Sequence, residues 1–327
     1  MNEKLRYQEG SVVYGTGMNG LQTSSPSYIT VPHERTEYIQ AEDRTWLRFT
    51  YRNQGGVVMD YSPTQFTYKP GTSTKDTWFD GPFSVLATGQ ATGARLQIKL
   101  DDSVTPDGIV ERIGDFNSPQ RTKTTTQLHR NGVLVVDRGS SIDKTFPDAD
   151  KASYELRRTY TSAGIFPMGG EATSKWTFTA GGTGDAATPV NLLNVSFDAP
   201  LNNLNQARAG LPLPVSADIT GAVEGLHKVR AWVTADNGVT WKPVLILGHD
   251  GAYQFLAPPS ALTSGGFLGL RVTAEDGNGN TVDSALPRAI PVVGSRADDM
   301  TVPPLPRRGS GGTVALSAVL PRRPRSG

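Results

Sequence analysis

Cysteine is missing from all 327 positions, which excludes a disulfide framework, a thiol nucleophile and every thiolate-bound metal. A surplus of one charge sign is missing too. With 32 basic and 31 acidic side chains the formal net charge is +1, so no overall field gathers phosphate backbones or anionic lipid. Nucleic acid is therefore not an expected partner. No stretch approaches the roughly 18 apolar residues of a membrane-spanning helix, so no membrane span is expected. The opening MNEKLRYQEGSVVYG lacks the apolar core of a secretory signal. Two readings follow: a protein that stays in the cytosol, or a piece of a longer one whose signal lies elsewhere. Helical periodicity is also scarce. Asn203 to Ala209 is the one brief candidate, and Pro212 and Pro214 close it. A parallel α/β architecture would need helical crossovers that this pattern does not provide.

Compact catalytic and metal motifs are scarce in the same way. His33, His129, His227 and His249 form no HxH or HExxH spacing, so a zinc site would have to be assembled from distant parts of the chain. There is no GxSxG elbow, and Gly139-Ser140-Ser141 follows a hairpin strand with no helix behind it, as a loop serine would. Asp276, Asn278 and Asn280 alternate like the opening of a calcium loop. The pattern then breaks, with Thr281 where glycine is needed and Pro287 where a bidentate glutamate is needed. A glycine-rich turn is the main reading of that segment, and a weak calcium site the alternative. No catalytic residue, metal ligand or cofactor is assigned.

What the chain does have is turn formers and short alternating segments. Glycine (36) and proline (23) are abundant, and the dipeptides Pro70-Gly71, Asp107-Gly108, Asn131-Gly132 and Gly181-Gly182 punctuate the sequence. Further turns are expected at Asp236 to Gly238 and at Asp276 to Asn280. Between them, apolar and polar residues alternate at 45–52, 94–100, 133–137, 153–161, 174–180 and 192–199, the two-residue period of a strand with one dry face. The expected fold is all-β, as two β-sandwich-like units. Residues 1–180 form a β-rich accessory unit for which a jelly roll is one arrangement, and 181–189 (GGTGDAATP) read as a linker. Residues 190–293 supply about seven strands, as an immunoglobulin-like sandwich requires. Residues 294–327, rich in proline, arginine and glycine, read as a disordered tail.

Aromatic residues crowd the first unit: Tyr38, Trp46, Phe49, Tyr51, Tyr61, Phe66, Tyr68, Trp78, Phe79 and Phe83. They can fill a core or line a sugar-binding groove. In the second unit, alternation turns Val229, Ala231 and Val233 inward and leaves Trp232 outside, against the linker or the first unit. Trp241, beyond the turn, is expected to point inward over the end of the sandwich and to be the costlier tryptophan to lose.

Several of these segments together resemble the C-terminal region of large secreted subtilisin-like (S8 class) serine peptidases of high-GC Gram-positive bacteria. The matching positions are Val229, Val233, Asp236, Gly238, Thr240 and Trp241, then Leu270, Arg271, Ala274, Asp276, Gly279 and Asn280. Upstream, the hairpin 124–135, with His129 and Asn131 as departures, and the strand carrying Trp176 and Phe178 are similar to the same region. The resemblance implies an extracellular, non-catalytic accessory region that stabilises or positions a peptidase domain, with that domain as partner in cis or upstream. The family's DTG, HGTH and GTSMA segments do not occur here, so no catalytic role carries over to any residue. A polysaccharide- or cell-surface-binding module is the alternative reading.

Overall fold

The computed structural model describes residues 2–18, 27–36, 38, 45–54, 57–58, 64–67, 69–73, 75–78, 80–108, 110, 122–162, 170–182 and 184–294. The first strands are β1 (Asn2–Met18), β2 (Ser27–Thr36), β3 (Thr45–Gln54), β4 (Val57–Val58), β5 (Thr64–Thr67) and β6 (Lys75–Trp78). They form one six-stranded sheet in which β1 pairs with β2, β3 and, in parallel, β6. For these six the description is of backbone pairing. Trp46, Phe49, Tyr51, Phe66 and Trp78 lie on them, with Trp46 opposite Phe66 and Trp78 opposite Leu5. Tyr38 is 96% exposed and Phe83 is buried, whereas Tyr61, Tyr68 and Phe79 lie outside the described residues.

The next strands are β7 (Ser84–Thr92), β8 (Arg95–Val104), β9 (Thr122–Arg130), β10 (Val133–Arg138), β11 (Ile142–Thr145), β12 (Ala152–Ser162) and β13 (Glu171–Ala180). Then come β14 (Thr188–Val190), β15 (Asn194–Asp198), β16 (Ala207–Arg208), β17 (Leu213–Thr220), β18 (Leu226–Thr234) and β19 (Lys242–Val244). The last are β20 (Ile246–His249), β21 (Ala252–Ala257), β22 (Phe267–Asp276) and β23 (Thr281–Val293). The period of two is plain in β13, where Ala172, Ser174, Trp176, Phe178 and Ala180 are buried and the residues between them are not. Asn131 and Gly132 turn β9 into β10 with φ of 50° and 82°, the positive pair that a tight hairpin of this hand requires.

A nine-stranded sheet forms the base, in the order β10-β9-β12-β13-β23-β22-β18-β19, with β16 beside β23. Two four-stranded sheets cover its inner face: β11-β8-β7-β14 and β15-β17-β21-β20. The architecture is thus all-β and sandwich-like. β13 pairs antiparallel with β23, so one sheet runs through both sides of the composition break at 181–189. At the end of that segment β14 pairs with β7, and Gly182 donates its N–H to Ala149 O. The described residues up to 294 belong to one compact unit; residues 295–327, nearly all of the expected tail, lie outside the described residues.

The two covering sheets meet along a seam made by side chains. Asn194 of β15 accepts the Ala87 N–H at 2.8 Å and donates to the Ala87 carbonyl at 2.9 Å, as a neighbouring strand's backbone would. Ser84 accepts from Phe197 N at 3.2 Å. Beneath the seam, the Trp176 indole N–H donates to Leu193 O at 2.7 Å, and the buried residues of both halves form one continuous cluster.

The expected helix at 203–209 is absent. The Asn202 side chain accepts from Leu204 N and Gln206 N, which closes a turn that runs directly into β16. A local side-chain acceptor has replaced the helical ladder, as asparagine readily does. Among the described residues the only helical element is a short 3-10 turn, Pro259–Ala261.

Candidate functional site: a groove on the exposed face of the shared sheet

The scattered candidates of the sequence stay apart. His227 and His249 are exposed, His129 lies on β9 opposite Glu155, and the side chain of His33 lies outside the described residues. No group of three metal-binding side chains is found among the described residues. Ser141 Oγ accepts from Leu100 N at 3.1 Å, and Gly139 O receives both Arg158 and Thr124. That loop is tied into the sandwich.

The Asp276 carboxylate is buried and already engaged. It accepts from Val223 N, Asn278 N, Asn280 N and Asn280 Nδ2 at 2.8 to 3.2 Å. Those four N–H groups occupy the acceptor positions of the carboxylate, so the segment is a turn locked by its own aspartate. Asp236 does the same for the preceding turn. It accepts from the Thr234 hydroxyl at 2.6 Å, Thr240 N at 2.9 Å and the Thr240 hydroxyl at 2.5 Å. The Thr234 hydroxyl bond, then those from Thr240, hold the Asp236 carboxyl down at about 2.

The turn that Asp236 locks carries Gly238 and Trp241 onto the outer face of the nine-stranded sheet. Gly238 has φ of 86°, and a Cβ there would stand 3.1 Å from Pro287 Cβ and 3.5 Å from Trp241 Cζ2. The positive φ and the close approach to Pro287 favour glycine there, while the contact with the ring is of ordinary length. Trp241 is half-buried beside Gly238 and outside the core, contrary to the inward position that reversal of the chain suggested. A tight turn fixes the direction of the chain but not which side of the sheet receives the ring. Alternation held for the other tryptophan. Ala231 and Val233 are buried, Val229 packs against the core, and Trp232 is on the outer face. A bulge does interrupt β18, but it falls between His227 and Arg230 and leaves Trp232 in register. Its ring lies under Arg271, whose guanidinium carbon is 5.1 Å from the ring centre, with no linker involved.

Trp241 forms one wall of a groove of about 550 Å³. Its floor is a row of small residues brought level by strand register: Thr159 of β12, Thr173 of β13 and Ala285 of β23. One residue pair further along the strands, Arg157, Lys175 and Asp283 form the opposite wall. Arg271 closes the end, donating to Asp283 at 2.9 and 2.8 Å, and the Asp283 bond raises the Arg271 pKa. Arg157 donates to Glu155 at 2.7 Å, and Lys175 has no ion-pair partner among the described residues. The groove therefore offers an aromatic wall, two threonine hydroxyls and a cationic wall, without a nucleophile and base in contact. Inspection of the sequence missed it because its lining comes from five separate segments.

These features define a class: an all-β, sandwich-like protein with a polar, cation-lined groove on an exposed sheet face. No protein-family model matches the chain, and no curated protein does. Among solved structures it has a likeness to the three N-terminal domains of the bacteriophage RB49 Highly Immunogenic Outer Capsid protein (Hoc). The two are 12% identical, with 87% of this chain and 89% of that chain covered, at a TM-score of 0.19. A likeness at that level assigns neither fold nor function.

Proposed function

We propose that this chain is a non-catalytic accessory region of a secreted subtilisin-like serine peptidase, acting outside the cell to stabilise or position a catalytic domain that none of these residues supplies. Its 190–293 half is read as the immunoglobulin-like part. The observation that supports this is the use made of the residues shared with that family. Asp236 and Asp276 hold turns with their carboxylates, Trp176 and Phe178 fill the core, and Arg271 is paired with Asp283. Each has a structural task and none is poised to react. The test is a peptidase assay on the chain together with a fluorophosphonate probe for activated serine. The expected result is neither hydrolysis nor labelling; hydrolysis that the probe abolishes would overturn the reading.

The outer-face groove favours a second reading, a module that binds polysaccharide or a cell surface. Aromatic walls beside convergent polar groups suit sugar rings, which present C–H on one face and hydroxyls at the rim.

A further inference from the structure

We infer that the groove between Trp241 and Lys175 is a binding site for an acidic polysaccharide, one whose pyranose rings carry carboxylate or sulfate. This deepens the polysaccharide-binding reading and rests on it. Three features of the groove combine to select that ligand.

The first is charge. Arg157, Lys175 and Arg271 line the groove against the single carboxylate of Asp283. Asp283 is held by both Arg271 nitrogens, and Arg157 is engaged by Glu155 at the surface. Lys175 is left as an exposed cation with no ion-pair partner among the described residues, standing between Arg157 and Asp283 across the strands. The chain as a whole is near neutrality, at a formal net charge of +1, so this cationic wall is a local feature. An anionic group placed at Lys175 would gain a partner without breaking an existing pair.

The second is shape. The floor runs across the strands from Thr159 through Thr173 and Ala285 to Arg271, three strand separations or roughly 14 Å at about 4.8 Å each. That length accommodates a short run of sugar rings lying across the sheet. A lone phosphate or carboxylate would leave most of it empty.

The third is surface chemistry. Trp241 is half-buried beside Gly238 at the turn that Asp236 locks, so its ring is a wall that needs little ordering on binding. The C–H face of a pyranose can pack on it while ring hydroxyls reach the exposed Thr159 and Thr173. The anionic substituent then meets Lys175 and Arg157 on the far wall.

The full chain can be tested by affinity electrophoresis and calorimetry against polygalacturonate, chondroitin sulfate, neutral xylan and inorganic polyphosphate. Binding to polygalacturonate or chondroitin sulfate is expected, and which of the two binds tells carboxylate from sulfate. Lys175→Gln and Trp241→Ala should each weaken that binding at least about tenfold, whereas Arg230→Gln, on the same face but outside the groove, should not. Melting curves of the variants establish that they remain folded. Equal binding of polyphosphate, or no binding of either acidic glycan, would overturn the inference. If xylan binds as well as the acidic glycans and Trp241→Ala abolishes it, the acidic specificity fails while the polysaccharide-binding reading stands.

Discussion

The two halves of the nine-stranded sheet carry the same alternation and are held to their covering sheets by different means. On the β9, β12 and β13 half the core is ring-rich, with Tyr154 stacked on Phe178 at 5.4 Å and Trp176 fully buried. It also contains a charge. Arg158 is buried on the inner face and reaches Asp102 of β8 at 2.5 and 2.7 Å, with Thr126 Oγ1 and Gly139 O taking further donors. On the β23, β22 and β18 half the inner face is aliphatic: Leu268, Leu270, Val272, Ala274, Val282 and Leu286. Its buried carboxylate, Asp276, is satisfied by N–H groups and by no cation among the described residues. One half therefore depends on a pair that joins two sheets, the other on packing and on turns that close upon themselves. Equivalent hydrophobic patterns can thus give different sensitivities to mutation and pH.

The strongest test of whether the halves act as one body is Trp176→Ala. The ring is in the first half, but its N–H donates to Leu193 at the entrance to β15. Removing a buried tryptophan costs about 3 to 5 kcal/mol. Amide hydrogen exchange should rise in β15 and β17 along with β12 and β13; protection lost on the β12 side alone would show that the halves unfold separately.

Asp102→Ala is expected to cost the first half about 3 kcal/mol by urea unfolding, because it strands the buried Arg158 guanidinium. Arg158→Met, which removes the charge and keeps an unbranched apolar side chain, should cost less. Equal losses for both would mean that the pair itself, and not the stranded charge, sets the cost.

The seam comes next in size. Asn194→Ala leaves the Ala87 N–H and carbonyl without their partner, at about 2 kcal/mol, measured by the same unfolding experiment. A loss under about 0.5 kcal/mol would show that water replaces the amide and that the covering sheets are joined by packing alone.

The smallest effect concerns acid and the second half. The folded pKa of Asp236 lies near 2, below its ordinary value of 3.8. The stability it contributes is therefore complete above about pH 4 and is lost as pH falls through 2. The melting-temperature gap between the parent and Asp236→Ala should close over that window, and a gap that stays constant down to pH 2 would contradict the low pKa. Because the group is exposed, the shift is expected to be modest.

Much of this was legible in the chain itself. The burial alternation of β13, the hairpin at Asn131-Gly132 and the outward position of Trp232 follow from side-chain period and backbone sterics, which act over a few residues. Where local and distant forces compete, the sequence was ambiguous. Residues 203–209 could have been a helix until the Asn202 side chain took the backbone donors. The Asp276 turn was read from its own glycines, but one of the donors that hold its carboxylate comes from Val223, fifty-three positions upstream.

Strands, turns and the all-β class were determined by the sequence alone, since alternation and positive-φ residues act locally. The tertiary structure decided that β13 and β23 share a sheet, that Asn194 joins the covering layers, and that Trp241 lines one groove with Lys175 and a row of small residues. Those arrangements depend on register between segments far apart in sequence, such as β13 and β23, and a one-residue slip between those two strands would turn the groove residues of one of them to the opposite face.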